Sequence, residues 1–386
     1  MGVKGLFKLL ADECPDAIKE IQPESLFSRK IAIDTSTFLY QFLIAIRGNG
    51  MDLTNESGEL TSHLRGLFSR TTKFLEYGIK PVFVFDGTAP KLKAVEIEKR
   101  REKVRDAEKQ LAVAEEQGDD EKMIMFAKRT VRVTKEQNDE AKKLIRLMGL
   151  PVVQASSEAE GMCAALCKAG LVYATATEDA DSLTFGTDIL IRHITFSEAR
   201  KVPIQEINMS RVLTTTGLTM DQFIDVCILS GCDFSDGIKG IGQKKAFSMI
   251  KEFGSIEKVI EAVKDKKNYI VADPFPFQEI RDLFKQTENL DSVDLKFTEP
   301  DEEGLIEFLV KEKQFDETGV RNTISRIKKT KGKASQGRLD SFFKVIGTSI
   351  SDTMTKKREE SQNKVGTKRK RPNKSTQVKK KSKSEK

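Results

Sequence analysis

Short apolar runs alternate with longer amphipathic segments over the first half of the chain. The runs 30–34 (KIAID), 80–87 (KPVFVFDG), 150–153 (LPVV) and 171–176 (LVYATA) predict buried strands. Strands that alternate with helices form a parallel sheet covered on both faces. The pattern therefore predicts an α/β protein with a mainly parallel central sheet and helices on both faces.

Helical periodicity fills the intervals between these strands. The predicted helices span 35–46, 62–78, 90–148 with a break at QGDD, and 156–169, and short helices flank a glycine hairpin within 217–255. From about residue 330, Lys, Ser, Thr and Gln replace most apolar residues. We expect a disordered basic tail over 331–386.

The net charge of +7 is distributed unevenly along the 386 residues. From Lys328 to Lys386 there are 20 Lys and Arg against 5 Asp and Glu, whereas the preceding 327 residues hold 46 basic and 54 acidic side chains. The basic excess therefore belongs to the tail, and the rest of the chain is acidic.

Composition argues against membrane and secreted classes. No apolar run approaches the ~20 residues of a membrane span, and the amino terminus lacks the pattern of a signal peptide. The five cysteines form no C-x-x-C pair: they are Cys14, Cys163, Cys167, Cys227 and Cys232. We expect an intracellular protein with reduced, buried thiols.

Seven acidic residues occur at the ends of predicted strands or in the segments that follow apolar stretches. They are Asp34, Asp86, Glu158, Glu160, Asp179, Asp181 and Asp233. Each alone could be a helix cap or a solvated turn residue, and Glu178 is expected to be a surface charge. Ligands of open α/β sheets bind beyond such strand ends, where neighbouring carboxylates would repel one another. Hard Mg²⁺ ions would relieve that repulsion, and two of them roughly 3.5–4 Å apart would clamp a phosphodiester.

The motifs around these acids resemble those of the flap endonuclease family, the structure-specific 5′ nucleases of the XPG-type superfamily, in its eukaryotic form. The resemblance covers about residues 1–345 and rests on MGVKGL, IAIDTS, VFVFDG, EAEG, TEDADSL, GCD and GIKGIG. It implies a PIN-like 5′ nuclease fold with a helical cap and two Mg²⁺ held by all seven acids. It also implies 5′ flap endonuclease and 5′-3′ exonuclease activity that leaves a ligatable nick in Okazaki-fragment maturation and long-patch base excision repair.

The basic segment that begins at Lys91 carries a further set of implied site residues. Lys93 and Arg100 are two helical turns apart and share a face, which on composition alone would be solvated and paired at i, i+4. The resemblance instead implies active-site cations in a gateway and cap over 91–133, through which a 5′ single strand passes. It also implies that Tyr40 stacks on a base and that Gly2, once Met1 is removed, packs near the site.

The segment GIKGIGQKKA joins two short helices, and its glycines would let the backbone approach phosphates. A plain tight turn would carry the same glycines. The resemblance implies a helix–two-turn–helix over 217–255 that holds duplex DNA with a bound K⁺. The implied DNA-binding residues are Gly231, Gly240, Gly242, Lys244 and Lys245, and the implied K⁺ carbonyls belong to Ser235, Ile238 and Ile241.

Shorter matches suggest how a branched substrate would be held. The segment 47–57 resembles the wedge that separates two duplex arms, and Thr61 with 312–315 (EKQF) resembles a pocket for a one-nucleotide 3′ flap. Arg47 and Arg70 are further DNA-binding residues that the resemblance implies.

The tail contains one apolar cluster, in QGRLDSFF at 336–343. It resembles the binding box for the sliding clamp PCNA, a homotrimer that could take up to three monomeric nuclease molecules. Its residues are Gln336, Leu339, Phe342 and Phe343. The basic run 368–383 predicts nuclear import or a DNA-steering arm, with a plain soluble linker as the alternative. We expect the nucleus (nucleoplasm and nucleolus), and a mitochondrial pool stays open.

We therefore expect a nuclease domain over 1–330, with an N-terminal region 1–107 and an internal region 122–255. Two alternatives remain. One is a mainly exonucleolytic or bubble-cutting member of the superfamily, although no large insertion separates Asp86 from Glu158. The other is a catalytically silent scaffold bound to the clamp, against which the complete set of acids argues.

Overall fold

The structure, a computed structural model, describes residues 2–47, 61–194 and 202–331. Within these ranges seven strands form one sheet: β1 (Ile18–Ile21), β2 (Lys30–Asp34), β3 (Lys80–Phe85), β4 (Val152–Gln154), β5 (Ala174–Ala176), β6 (Ile189–Arg192) and β7 (Ile204–Asn208). Their spatial order is β1-β7-β6-β5-β2-β3-β4. Strands β2 to β6 pair in parallel, and β7 pairs antiparallel with β1 and β6. The predicted α/β class is confirmed.

The described helices cover the sheet and extend beyond it. They are α1 (Leu6–Glu13), α2 (Thr35–Arg47), α3 (Ser62–Glu76), α4 (Ala94–Gln117), α5 (Asp120–Arg129), α6 (Lys135–Leu147), α7 (Ala159–Lys168), α8 (Asp181–Thr184), α9 (Met209–Thr216), α10 (Met220–Ser230), α11 (Gln243–Phe253), α12 (Ile256–Val263), α13 (Phe277–Lys285), α14 (Glu302–Ile306) and α15 (Glu317–Lys331). Short 3₁₀ turns lie at Pro15–Ala17, Pro23–Leu26 and Lys91–Lys93, and a π-helix lies at Glu307–Glu312.

The central strands are apolar throughout because both of their faces are buried. In β2, Ile31 and Ile33 join a core with α2, α3, α6 and α15, whereas Ala32 points to the other face, into a core with α7. Strand β3 divides in the same way, with Phe83 on the first face and Val82 on the second. Period-2 alternation between two buried faces produces a continuous apolar run in the sequence.

A third core holds α1 together with helices α8 to α13. Its largest members include Phe223, Phe247 and Phe284, all buried. This helical region supports the glycine hairpin between α10 and α11, so the hairpin and the strand ends belong to one continuous fold unit that extends over residues 1–337.

The predicted elements differ from the observed ones mainly at their ends. The break at QGDD is confirmed: Gly118 ends α4 with φ +64°, and the Asp119 side chain accepts a hydrogen bond from Lys122 N at 3.1 Å. A second break at 130–134 was not predicted, and there Thr134 and Gln137 form a capping box that begins α6. Strands β1, β6 and β7 were also missed; in β1 (IKEI) and β7 (IQEIN), charged and polar residues interrupt the apolar ones, so neither forms the continuous apolar run of a buried strand.

Several predictions concern residues outside the described ranges. These are the wedge 47–57 beyond residue 47, the clamp box 336–343 and the basic run 368–383. The described cysteines are free, and all but Cys232 are buried. Among the described helices, none alone has both the length and the hydrophobicity to cross a membrane, and only α9 with α10, bent by 87°, pass that test as a pair.

Candidate active site

The carboxyl ends of the parallel strands open into one cavity of about 1300 Å³. Six of the seven predicted acids line it, together with Lys93, Arg100 and Tyr40: the six are Asp34, Asp86, Glu158, Glu160, Asp179 and Asp233. The seventh, Asp181, is buried beside Asp179. The sheet thus brings together acids that lie up to 199 residues apart in the chain, between Asp34 and Asp233.

Asp34 ends β2 and is held by two neighbouring elements. The backbone N–H of Thr37, in the first turn of α2, donates to Asp34 Oδ1 at 3.2 Å. The hydroxyl of Thr177, just after β5, donates to Asp34 Oδ2 at 2.8 Å. Because β2 and β5 are adjacent at the point where the chain reverses its direction across the sheet, this is where ligands of open α/β sheets bind.

Asp86 follows β3 and is held from both sides of the sheet edge. The Ala159 N–H, at the start of α7, donates to Asp86 Oδ1 at 2.8 Å, and the Ser36 hydroxyl donates to Asp86 Oδ2. Asp86 is the one exposed member of the seven acids, whereas the other six are at most 9% exposed.

The loop after β5 presents Asp179 and Asp181 to the amino terminus of the chain. Asp181 N donates to Asp179 Oδ1 at 3.2 Å, and Val3 N donates to Asp181 Oδ1 at 2.8 Å. Gly2 has φ +69°, and a Cβ built on it would lie 1.8 Å from Asp179 Oδ1. Gly2 thus lies against the acids as predicted, and a Cβ at this position would overlap the Asp179 carboxylate unless that carboxylate moved.

Two cations from the gateway segment contact the acids directly. Lys93 Nζ lies 2.6 Å from Glu158 Oε1 and 3.2 Å from Asp233 Oδ2, and Arg100 Nη2 lies 2.6 Å from the same Asp233 oxygen. Arg100 Nε also donates to Glu96 Oε1 at 3.0 Å, as an i, i+4 pair. Helix α4 is therefore anchored over the carboxylates by charge.

The pKa values of the acids follow their surroundings. Burial, assisted by the charge of Asp86, raises the pKa of Asp34 to about 6. Burial and then neighbouring carboxylates raise the pKa values of Glu160 and Asp181 well above their usual range. Burial would raise the pKa of Asp233 as well, but Lys93 and Arg100 outweigh it, and this pKa is lowered.

The remaining shifts in the site follow the same balance. Burial raises the pKa values of Glu158 and Asp179 above their usual range. Burial would lower the pKa of Lys93, but Glu158, Glu160 and Asp233 outweigh it, so that this pKa is raised. Burial thus disfavours the ionised form of most of these acids, and the cations Lys93 and Arg100 offset it most strongly at Asp233.

The donor chemistry of this set fits Mg²⁺, because every member offers a hard carboxylate oxygen. The ammonium of Lys93, between Glu158 and Asp233, shows that a cation is held among these oxygens. Over the described ranges, however, no three acidic, His or Cys side chains already stand in the arrangement of a metal site. Lys93 would have to leave Glu158 and Asp233 for a metal ion to bind those two carboxylates.

Helices α4 and α5 form the far wall of the cavity. Phe126 and Arg129 of α5 line it, with the Arg129 guanidinium 5.5 Å from the Phe126 ring centroid, and Ala107 of α4 lines it as well. Arg132 lies just beyond α5. The segment predicted as gateway and cap thus lies over the acids, as a basic and aromatic wall.

The predicted hairpin follows α10 and leads into α11. Gly231 and Gly240 have φ +95° and +96°, a region that favours glycine, whereas Gly242 precedes α11 with an ordinary φ of −100°. Lys244 and Lys245 are exposed in the first turn of α11, where Lys244 Nζ pairs with Asp12 at 2.8 Å.

The predicted K⁺ carbonyls lie in this hairpin. Two of them already accept one backbone hydrogen bond each: the Ser235 carbonyl accepts from Cys232 N at 2.8 Å, and the Ile238 carbonyl accepts from Ile241 N at 2.9 Å. A carbonyl has two lone pairs, so each could accept a further partner. The Ile241 side chain is buried.

The segments predicted to hold a 3′ flap meet through Glu140. Buried Thr61 precedes α3, whose His63 Nε2 lies 2.9 Å from Glu140 Oε2. Lys313, within the predicted segment 312–315, donates to the other oxygen of Glu140. Arg70 is half-buried on α3, and Arg47 is the last residue of α2.

One expectation was wrong. Glu178, expected to be a solvated surface charge, is 19% exposed and paired, with Arg192 Nη2 at 3.4 Å and His193 N donating at 2.6 Å. Sequence reasoning also missed the hydroxyls of Ser36 and Thr177, which hold the acids. Ser and Thr beside strand ends are too common to single out without the fold.

The sequence of this chain is similar to those of known proteins. The family model described as the XPG N-terminal domain matches residues 1–107, and the XPG I-region model matches residues 149–233. Flap endonuclease 1 of Naegleria gruberi is 57% identical over 352 residues, which cover 90% of this chain and 91% of that protein.

Solved structures show the same fold. The flap endonuclease-1 of Methanococcus jannaschii superposes with a TM-score of 0.65 at 33% identity, covering 82% of this chain and 97% of that one. The catalytic core of Rad2, solved in complex with DNA substrate, superposes with a TM-score of 0.66 at 24% identity, covering 84% of this chain and all of that one.

Proposed function

This chain belongs to the flap endonuclease family, and on that premise we propose how its own residues cut branched DNA. The chain is a structure-specific 5′ flap endonuclease, a nuclease that hydrolyses DNA phosphodiester bonds. We propose that the cut falls one nucleotide into the duplex and leaves a ligatable nick, as Okazaki-fragment maturation and long-patch base excision repair require. A 5′-3′ exonuclease activity would use the same site.

The observation that carries this proposal is that six of the carboxylates and two cations line one cavity, with the seventh acid, Asp181, buried beside Asp179. The acids would hold two Mg²⁺, which when bound supply Lewis-acid activation of the phosphodiester and of the attacking water. Asp34 and Asp86 are fixed by hydrogen bonds from Thr177 and Ala159, so their oxygens are oriented before substrate arrives. A fixed donor set of this kind loses little free energy to reorganisation in the transition state.

Lys93 and Arg100 would exchange partners when DNA binds. In the free protein their positive charges neutralise Glu158 and Asp233. Released from these acids, both cations would bind the scissile phosphate by charge-assisted hydrogen bonds. They would stabilise the negative charge that builds on the phosphate oxygens during cleavage.

The walls of the cavity and the hairpin would select the branched substrate. Tyr40 would stack on a base beside the scissile phosphate, and the wall formed by α4 and α5 would surround the 5′ single strand. The hairpin, with Lys244 and Lys245 exposed, would hold the duplex by its phosphates without reading bases, with a K⁺ at its carbonyls. Thr61 and the 312–315 segment would receive a one-nucleotide 3′ flap.

The tail would connect this activity to replication. Residues 336–343 would bind the PCNA clamp, up to three monomeric nuclease molecules per trimer, and the basic run 368–383 would direct the protein to the nucleus. The nuclease domain would then span 1–330 and the tail 331–386. Deleting 336–386 should abolish clamp binding in a pull-down with purified PCNA while cleavage of a free flap persists.

The direct test is replacement of Asp181 by Ala, assayed on a 5′-labelled flap with and without Mg²⁺. We expect cleavage to fall by at least about a thousandfold, whereas flap binding in Ca²⁺ persists. The matched control is Asp221→Ala. Asp221 is an exposed acid on α10 that pairs with Lys285 of α13 and does not line the cavity. Near-normal cleavage by the Asp181 variant would refute the metal assignment.

A further inference from the structure

A second charged group lies beside the acids, at the amino-terminal wall of the same cavity. Phe7, Glu178 and Arg192 all line the cavity, and they come from α1, the loop after β5 and the end of β6. The Arg192 guanidinium carbon lies 3.5 Å above the centroid of the Phe7 ring, and Arg192 Nη2 lies 3.4 Å from Glu178 Oε2. The Arg192 side chain thus contacts both α1 and the loop after β5, two segments that lie far apart in the sequence.

Each of the joined segments carries part of the site. Glu178 directly precedes Asp179, and its carboxylate also accepts the His193 N–H at 2.6 Å, which ties the loop after β5 to the end of β6. Phe7, in the first turn of α1, lies four residues after Val3, whose N–H donates to Asp181 Oδ1 at 2.8 Å. Arg192, through Phe7 and Glu178, therefore connects the same two segments that the hydrogen bond from Val3 to Asp181 connects.

The geometry suits an arginine in particular. A planar guanidinium can stack on a ring with its face while its edge donates to a carboxylate, which an ammonium cannot do in the same geometry. Arg192 is only 17% exposed and its Nη1 also donates to Gln205 Oε1 at 3.3 Å. Its position is thus fixed by three partners, and water screens its pairing with Glu178 less than it screens an exposed pair.

We propose that Arg192 is a positioning residue for flap cleavage: through Phe7 and Glu178 it holds the amino-terminal turn and the Asp179–Asp181 loop in register. This inference rests on the proposed function, in which those two acids hold metal ions. Loosening the register by about 1 Å would be enough to lower the rate of the chemical step roughly a hundredfold. Contact between Arg192 and DNA is not required.

The test compares Arg192→Leu, Arg192→Lys and Glu178→Gln in the full-length protein. With selective ¹⁵N-valine labelling, we expect the Val3 amide to exchange about tenfold faster in Arg192→Leu than in the parent protein. Single-turnover flap cleavage should fall by at least about tenfold, while the Kd for flap DNA in Ca²⁺ stays within about threefold. Arg192→Lys should recover only part of both effects, and the Arg192→Leu/Glu178→Gln double variant should be no worse than the more affected single variant.

The matched control is Arg281→Gln, which removes an arginine of similar exposure, 13%, that pairs with Asp225 outside the cavity. It should destabilise the protein without changing exchange at Val3. An unchanged Val3 exchange rate in Arg192→Leu, equal effects in the Arg281 control, or a loss confined to DNA affinity would each overturn the positioning role. Failure of the parent protein to cut flaps would refute the proposed function instead, since the exchange comparison needs no cleavage.

Discussion

Replacing Gly2 by Ala tests how closely the amino terminus approaches the acids. A Cβ on Gly2 would lie 1.8 Å from Asp179 Oδ1 and 2.5 Å from Asp181 Oδ1, whereas real Cβ contacts stay beyond 3.0 Å. Asp179 Oδ1 would therefore have to move by at least about 1.2 Å, the difference between 3.0 and 1.8 Å. Because both atoms end short side chains, the shift is possible, but it displaces predicted metal ligands.

Two costs are expected, and they can be separated. The first is conformational: Gly2 has φ +69°, and a non-glycine residue there costs about 1–2 kcal/mol. The second is functional, because a displacement of about 1 Å in a catalytic group can reduce the rate roughly a hundredfold. Only the second depends on the neighbourhood of the acids.

Gly118→Ala separates these costs. Gly118 has nearly the same backbone conformation, with φ +64°, but a Cβ there meets no atom within 4 Å. Thermal unfolding should show similar losses of stability for Gly2→Ala and Gly118→Ala. The rate of single-turnover cleavage of a 5′ flap at saturating Mg²⁺ should fall about a hundredfold for Gly2→Ala alone. Equal cleavage rates in the two variants would refute the reasoning, because they would mean that the acids tolerate the displacement.

Two further predictions concern a hydrogen bond in the site and an ion-pair network outside it. Thr177→Val removes a hydrogen bond that lowers the pKa of Asp34, so in metal-free protein the Asp34 carboxyl should titrate above about pH 6 by ¹³C NMR; titration at or below the parent value would contradict this. Arg281→Gln leaves the Asp225 carboxylate, 4% exposed, without its ion pair, and should lower the free energy of unfolding by about 3 kcal/mol in urea titrations. Hydrogen bonding by Arg281 lowers the pKa of Glu257 to about 2. This pair therefore stabilises the parent protein above pH ~4.5, and its contribution disappears as the pH falls toward 2. The free energy of unfolding of the variant should therefore change less over that pH range than that of the parent.

The sequence alone determined the fold class and the set of candidate acids. Buried parallel strands leave continuous apolar runs, which is why β2 and β3 were predicted nearly to their ends. Acids at strand ends are recognisable for the same reason, since a charged residue directly after a buried strand is conspicuous. Asp34 and Asp86 could therefore be identified as candidate site residues from the sequence alone.

Only the tertiary structure decided which groups hold the candidate acids and the neighbouring Glu178. Thr177, Ser36 and Arg192 have no local signature, because their partners lie 143, 50 and 14 residues away in the chain. The same holds for Glu178, an apparent surface charge that turned out to be paired. Hydrophobic periodicity shows which face of a single helix or strand is buried. Contacts between elements depend instead on how the sheet and the helices pack, which is determined by residues throughout the chain.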